Sequence, residues 1–334
     1  MSLRLVSVFL AGCLSQALAD ANAAASYSAA HGEWALLVHE RGNTVLERGP
    51  ALSRAAHVFS ITKSLFSIGV FRAALRGGAS PSSLVSRGPA RGISFGDLMN
   101  QTSGLDPMSA RFYSEGLQDK GGVFAEMKPP QPSRGFAYGA SHWEVLANEI
   151  APASGNSLES WLMKFLPGAR PHILARWRRD GKGRLFVSTG ARMSARELLP
   201  AARAVLAGLG TGFGKWPASV REIFSTGTPQ NGMYALGFWL NRNAVSPGAH
   251  EVDVEDSLAP PPSAAFWRHG CLSRGAPADL VAMIGSGGQR VYVVPSRGLV
   301  MIRLAKGGGF SDAEFLGRYF APPSKARRAP ASGS

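Results

Sequence analysis

The stretch Val58-Phe59-Ser60-Ile61-Thr62-Lys63-Ser64-Leu65-Phe66-Ser67-Ile68-Gly69 decides how this chain is read. Apolar residues at Ile61, Leu65, Ile68 and Leu75 recur at helical spacing, which predicts a helix over Ser60–Arg76 that Gly77-Gly78 stops. Residues i and i+3 share a helix face, so the Lys63 amine comes within reach of the Ser60 hydroxyl. Backbone N–H dipoles at the first turn add positive potential. That potential and burial both lower a lysine pKa, and a neutral amine can take the serine proton. Ser60 and Lys63 therefore read as nucleophile and base; the plain alternative is a helix-capping serine beside a solvated lysine.

On the N-terminal side, Trp34–Val38 and Thr44–Arg48 are short strand-like runs joined by Arg41-Gly42-Asn43, a hairpin pattern. Towards the other end, Gln289–Pro295 and Gly298–Leu304 form a second strand pair around Ser296-Arg297, and Asp312–Phe320 closes with a short helix. Between them lie helical stretches at Phe95–Met99, Trp143–Ile150, Leu158–Phe165 and Ala195–Ala207, separated by loops rich in Gly and Pro. Strands at both ends and helices between imply an α/β fold of the α+β kind. One antiparallel sheet is built from both chain termini, with a helical subdomain inserted. The expected division is a domain over 20–320, with sheet parts at about 30–80 and 266–320 and the helical part at about 81–265.

With 334 residues, 45 % of them apolar and 17 % charged, the chain can bury a large core, which excludes global disorder; its 40 Gly follow no three-residue period, which excludes collagen. Lys and Arg number 36 against 22 Asp and Glu, a net charge of +14 that can attract nucleic acid, anionic lipid or acidic polymer. The basic residues are scattered, and no zinc-finger spacing or RNA-binding aromatic signature accompanies them, so the reading is no nucleic-acid partner. The two cysteines, Cys13 and Cys271, form no CxxC pair, and the seven histidines show no ligand spacing, so no metal is expected. His57 reads as a residue beside the site or at the surface.

Residues 1–19 have the pattern of an export signal: Arg4, an apolar run from Leu5 to Leu14, and Ala17-Leu18-Ala19 before Asp20. Leu10-Ala11-Gly12-Cys13 offers a second reading, a lipobox with a lipid anchor on Cys13. Periplasmic or secreted localisation follows from either. No other segment reaches 18 apolar residues, so no internal membrane span is expected, and 321–334 reads as a disordered tail.

Taken with the S-x-x-K pattern, further segments resemble the serine β-lactamase-related hydrolases. These are the class C β-lactamases, D-alanyl-D-alanine carboxypeptidases, esterases of the same fold and 6-aminohexanoate-oligomer hydrolases. Ile93–Leu105 ends in Gln-Thr-Ser-Gly-Leu and is similar to the family's D-L-L-x-H-T-S-G-L segment; Gly190–Leu198 is similar to its G-x-x-x-T-A-R-D-L helix start. Trp177–Gly183 resembles the oligomer-hydrolase branch. The likeness spans roughly Trp34 to Leu304.

The resemblance implies a β-lactamase/transpeptidase-like fold and an acyl-enzyme on Ser60. It places Tyr138 at the tyrosine of the family's Y-x-N motif, as a proton shuttle beside Lys63. Ala140 stands where that motif has Asn; Ser141, one residue on, either donates to substrate or caps the following helix. Met283-Ile284-Gly285 takes the place of K-T-G, keeping the glycine and lacking the basic residue. Gly285 and Gly287 let backbone approach the acyl carbon as part of the substrate site, and the N–H groups of Ser60 and Ser286 are the oxyanion-hole candidates. Tyr113 falls in a loop that lines the family's substrate cleft. The expected protein is an exported, cofactor-free serine hydrolase acting on a small ester or amide, cell-wall-derived molecules included. The rival readings are a true β-lactamase or D,D-peptidase, and a catalytically weak binding protein.

Overall fold

A computed structural model describes residues 21–131, 135–153, 155–210, 214–258 and 262–321. The expected export signal, Cys13, and the tail beyond Ala321 lie outside the described residues. Helix α1 runs through residues 21–30 and leads into β1 (Glu33–Glu40), β2 (Asn43–Arg48) and β3 (Ala56–His57). Next come α2 (Ile61–Ala74), α3 (Phe95–Met99), α4 (Ser109–Tyr113), α5 (Lys120–Ala125), α6 (Ser141–Ala153), α7 (Leu158–Phe165) and α8 (Pro171–Leu174). The chain continues through β4 (Arg192–Met193), α9 (Ala195–Leu209), α10 (Ala218–Thr226), β5 (Tyr234–Ala235), β6 (Phe238–Leu240) and β7 (His250–Glu251). It ends with α11 (Ala264–His269), β8 (Gly270–Cys271), β9 (Val281–Gly285), β10 (Gln289–Val294), β11 (Leu299–Ala305) and α12 (Asp312–Phe320).

A seven-stranded sheet in the order β2-β1-β11-β10-β9-β6-β5 organises the molecule, and each of its neighbouring pairs is antiparallel. The first hairpin turns on Arg41 and Gly42, both at positive φ (50° and 87°), the geometry that matches the twist of the flanking strands. The sheet also takes β5 and β6 from inside the stretch expected to be helical. Two and three residues long, they are too short to show a period of two.

Both faces of the sheet are covered. Ala35, Leu37, Val291, Val293, Val300 and Ile302 point into one core with α2 and α9; Leu36, Val38, Tyr292, Val294, Leu299 and Met301 point into the other, with α1 and α12. Such strands read as continuous apolar runs. Helix α2 is buried almost all round, from Ile61 to Phe71 without a break, because it lies between the sheet and the helical part. That central burial places the N-terminal end of α2, with Ser60, beside the end of β9.

Candidate active site

Serine caps many helices here in the ordinary way: the hydroxyls of Ser94, Ser157, Ser194, Ser263 and Ser311 each accept from a backbone N–H in the first turn. Ser60 holds the same position on α2 and makes no such bond. Its Oγ instead accepts from Lys63 Nζ at 2.9 Å, as the i, i+3 spacing predicts. Phe59, immediately before it, sits at φ 48°, a left-handed conformation that costs a phenylalanine about 1 kcal/mol. Neighbours hold it there. Val58 N–H donates to the Ala191 carbonyl at 3.1 Å, Thr62 Oγ1 donates to the Phe59 carbonyl at 2.6 Å, and the Phe59 ring packs on His57. This turn leaves Ser60 half-buried while Lys63 is 1 % exposed.

Lys63 Nζ donates to three oxygens: Ser60 Oγ, the Ser188 carbonyl at 2.8 Å and the Tyr113 hydroxyl at 3.2 Å. The Tyr138 ring centroid lies 4.9 Å from the same nitrogen. Burial pulls the Lys63 amine down to about 7, with Glu144 pulling the other way. Burial pushes the Tyr138 phenol up to about 12, partly offset by the Ser60 hydroxyl beside it, and pushes the Tyr113 phenol up further. Near neutral pH the cluster therefore has one group on the edge of losing a proton, the amine, flanked by two neutral phenols.

The loop carrying Tyr138 is fixed from the Gln101–Gly104 segment. Gln101, at φ 58°, accepts from Ala137 N–H on its carbonyl at 2.9 Å and from Gly139 N–H on Oε1 at 2.5 Å. His142 bridges Ser103 Oγ and the Ala137 carbonyl at 2.8 Å each, and burial holds its imidazole down at about 4, so it is neutral.

Other residues singled out in the sequence make bonds and contacts of their own. Ser141 is fully buried and donates its hydroxyl to the Asp106 carbonyl at 2.6 Å. Ala140 packs with Phe112, Val123 and Phe186, and Met283 is buried in the core shared with α2. His57 binds the Thr189 carbonyl through Nε2 at 2.7 Å and sits behind Phe59.

The end of β9 meets the strained turn. A Cβ on residue 285 would lie 2.2 Å from the Val58 carbonyl oxygen, so only glycine permits this approach. Ser286 and Gly287 follow, exposed, in the tight turn to β10, with Gly287 and Gly288 at φ 73° and 76°. Glu255 braces that turn, accepting from Gly287 N–H at 2.7 Å and Gly288 N–H at 3.0 Å. Glu255 itself pairs with the buried Arg290 at 2.8 Å. Ser188, Glu144 and Glu255 carry no motif, and the sequence alone did not point to them. No group of His, Cys, Asp and Glu among the described residues could hold a metal ion.

No family model matches the chain, and no curated protein matches it. Solved structures do. A class C β-lactamase from Rhodobacter sphaeroides is 19 % identical with a TM-score of 0.58, covering 90 % of this chain and 97 % of that one. A β-lactamase/D-alanine carboxypeptidase from Pseudomonas syringae is 16 % identical with a TM-score of 0.59, covering 93 % and 100 %. A protein described as a 6-aminohexanoate-dimer hydrolase from Bacillus anthracis is 16 % identical with a TM-score of 0.61, covering 86 % and 77 %. At such identities the likeness establishes the fold: this chain has the β-lactamase/transpeptidase-like architecture that its motifs imply.

Proposed function

We propose that the chain is an exported serine hydrolase that opens a small ester or amide through an acyl-enzyme on Ser60. The observation that carries this reading is the wholly buried Lys63 amine, at about 7, with Ser60 Oγ 2.9 Å away. The neutral amine takes the Ser60 proton as Oγ bonds to the substrate carbonyl carbon. The N–H groups of Ser60 and Ser286 receive the oxyanion, a role that the close contact of Gly285 with Val58 supports. The proton passes from Lys63 through Tyr138 to the leaving alcohol or amine as the carbonyl–leaving-group bond breaks. Water then attacks the acyl carbon, gives a proton back along the same path, and frees Ser60.

Esters are favoured over β-lactams. Lactams and D-alanyl peptides carry a carboxylate that a basic residue normally grips, and Met283 and Ala140 present only buried apolar side chains at the two matched positions. A charge-assisted hydrogen bond contributes roughly 1.5–3 kcal/mol, so its loss costs about tenfold to 150-fold. The geometry of Tyr113, bonded to Lys63 at 3.2 Å, supports its place at the substrate cleft, and the exposure of Gly287 supports that residue's own place there.

A fluorophosphonate probe tests the reading. Intact mass should show one adduct on the wild type and none on Ser60→Ala, and kcat/KM should be well above benzylpenicillin for a short-chain p-nitrophenyl ester. An unmodified wild type would leave a binding protein; nitrocefin turnover near the diffusional limit would leave a true β-lactamase. Export predicts an N-terminus at Asp20 in periplasm or medium. A lipidated Cys13 supports the lipoprotein route, and Met1 retained in the cytosol rejects both.

A further inference from the structure

Behind the Ser60–Lys63 pair, one carboxylate ties together three separate parts of the chain. Glu144, in the first turn of α6, is fully buried. Its Oε1 accepts from Val187 N–H at 3.1 Å, Ser188 N–H at 2.9 Å and Ser188 Oγ at 2.6 Å. Its Oε2 accepts from Lys120 Nζ, on α5, at 2.7 Å, and that amine also donates to the Leu185 carbonyl at 2.5 Å. Val187 and Ser188 belong to no helix or strand, so these side-chain bonds take up N–H groups that no ladder satisfies. What the segment presents to the site is the Ser188 carbonyl, 2.8 Å from Lys63 Nζ.

Stability alone does not account for the arrangement. A buried ion pair is often no better for the fold than apolar side chains of the same volume. Here the pair stands behind a lysine whose charge state decides whether Ser60 can be deprotonated. Resting on the reading of Ser60 and Lys63 given above, we propose that Glu144 is a positioning residue for acyl transfer: it holds the Ser188 carbonyl on Lys63 Nζ and keeps a negative charge behind that amine.

The consequence lies in the pH profile. Lys63 is faced by Ser60 and Ser188, by Tyr113 from α4, by Tyr138, and by His142 and Glu144 from α6; Lys120 faces Glu144 from α5, and Glu255 acts on Tyr138. Tyr138 is held up at about 12 and His142 down at about 4, so neither changes charge near neutrality. Burial pulls the amine down and Glu144 resists. Without the carboxylate's charge, Lys63 becomes neutral at lower pH and is a weaker base.

The test follows the rate of fluorophosphonate adduct formation on Ser60 between about pH 5 and 9, which needs no knowledge of the substrate. In the wild type the rate should rise through about 7. Glu144→Gln combined with Lys120→Met keeps an acceptor for Val187 and Ser188 and removes both charges. Its midpoint should move down by about one pH unit, with a slower plateau. Glu144→Gln alone, with the Lys120 cation left in place, should move it at least as far. A residue that only supports the fold would lower the melting temperature and leave the midpoint where it was. An unmoved midpoint in either folded variant overturns the proposal, and so does failure of both variants to fold, which would assign Glu144 to the fold alone. The two readings fail separately: an unlabelled wild type sinks the hydrolase, whereas a labelled wild type with an unmoved midpoint sinks only the role of Glu144.

Discussion

On one side of Ser60, Lys63 is gripped by buried side chains and one carbonyl: Tyr113, the Ser188 carbonyl and, behind that, Glu144 and Lys120. On the other side, the 285–288 turn offers backbone alone, half in solvent, propped by Glu255 and the buried Arg290. On the reading proposed here, the base side sets a charge state, for which burial and a fixed carboxylate are the effective means. The turn side sets a position, for which glycines and hydrogen-bonded amides suffice. The two sides should therefore break in different ways: the base side through chemistry in a folded protein, the turn side through geometry and stability together.

The largest effect is expected at the base side. Ser60→Ala should lose at least about three orders of magnitude in kcat, Lys63→Ala nearly as much, and the double variant little more, because the two act as a unit. Tyr138→Phe should slow turnover with the melting temperature unchanged. Ester hydrolysis within tenfold of wild type in Ser60→Ala would remove the nucleophile, and strictly additive losses would deny the coupling.

At the turn side, Gly285→Ala puts a methyl where the Val58 carbonyl oxygen is, at 2.2 Å. The oxygen is backbone and the methyl is fixed directly to the Cα, so neither can rotate aside and the turn must move away from Ser60. Loss of an oxyanion donor costs about 100-fold to 1,000-fold, and adduct formation should fall by that order together with the melting temperature. Gly287→Ala is the contrast: at φ 73° it is strained, but its Cβ meets nothing closer than Gln289 Nε2 at 3.7 Å. It should cost about 1 kcal/mol of stability and far less activity. Equal activity losses in the two variants would deny that close approach at residue 285 is what the site requires.

How much of this the sequence carried follows the same division. Ser60, Lys63 and Tyr138 were legible because side-chain identity at helical and loop spacings is what a motif records. Met283-Ile284-Gly285, matched to K-T-G from the sequence, lies at the end of β9, whose antiparallel register puts Gly285 opposite Gln289. The left-handed Phe59 was not legible, since nothing in a phenylalanine's identity announces positive φ. Nor was the Ser188 carbonyl, a group that every residue carries. Glu144 reaches Ser188 across 44 positions, a separation that no local pattern encodes. Strands β5 and β6 escaped because two or three residues cannot display a period.

The smallest expected effect separates the two sides by pH. Burial pushes the Asp253 carboxyl up to about 6, with Asp312, Asp256 and Glu255 adding to the push and Arg290 opposing it. An unfolded aspartate titrates near 3.9. Below about 4 the group is protonated in both states and costs the fold nothing; as pH rises towards 6 it must ionise among carboxylates, so stability falls over that window. A shift of about two units corresponds to roughly 3 kcal/mol, which solvent at this half-buried group reduces to about 1 kcal/mol. Asp253→Asn should therefore raise the melting temperature by about 2–4 °C at pH 7 and not at pH 4. It should leave the labelling midpoint of Ser60 unchanged, because Asp253 lies with the carboxylates that brace the turn, not with those that face Lys63. A midpoint that moved with Asp253→Asn would show that charge on the turn side also reaches the base, and would dissolve the distinction between the two.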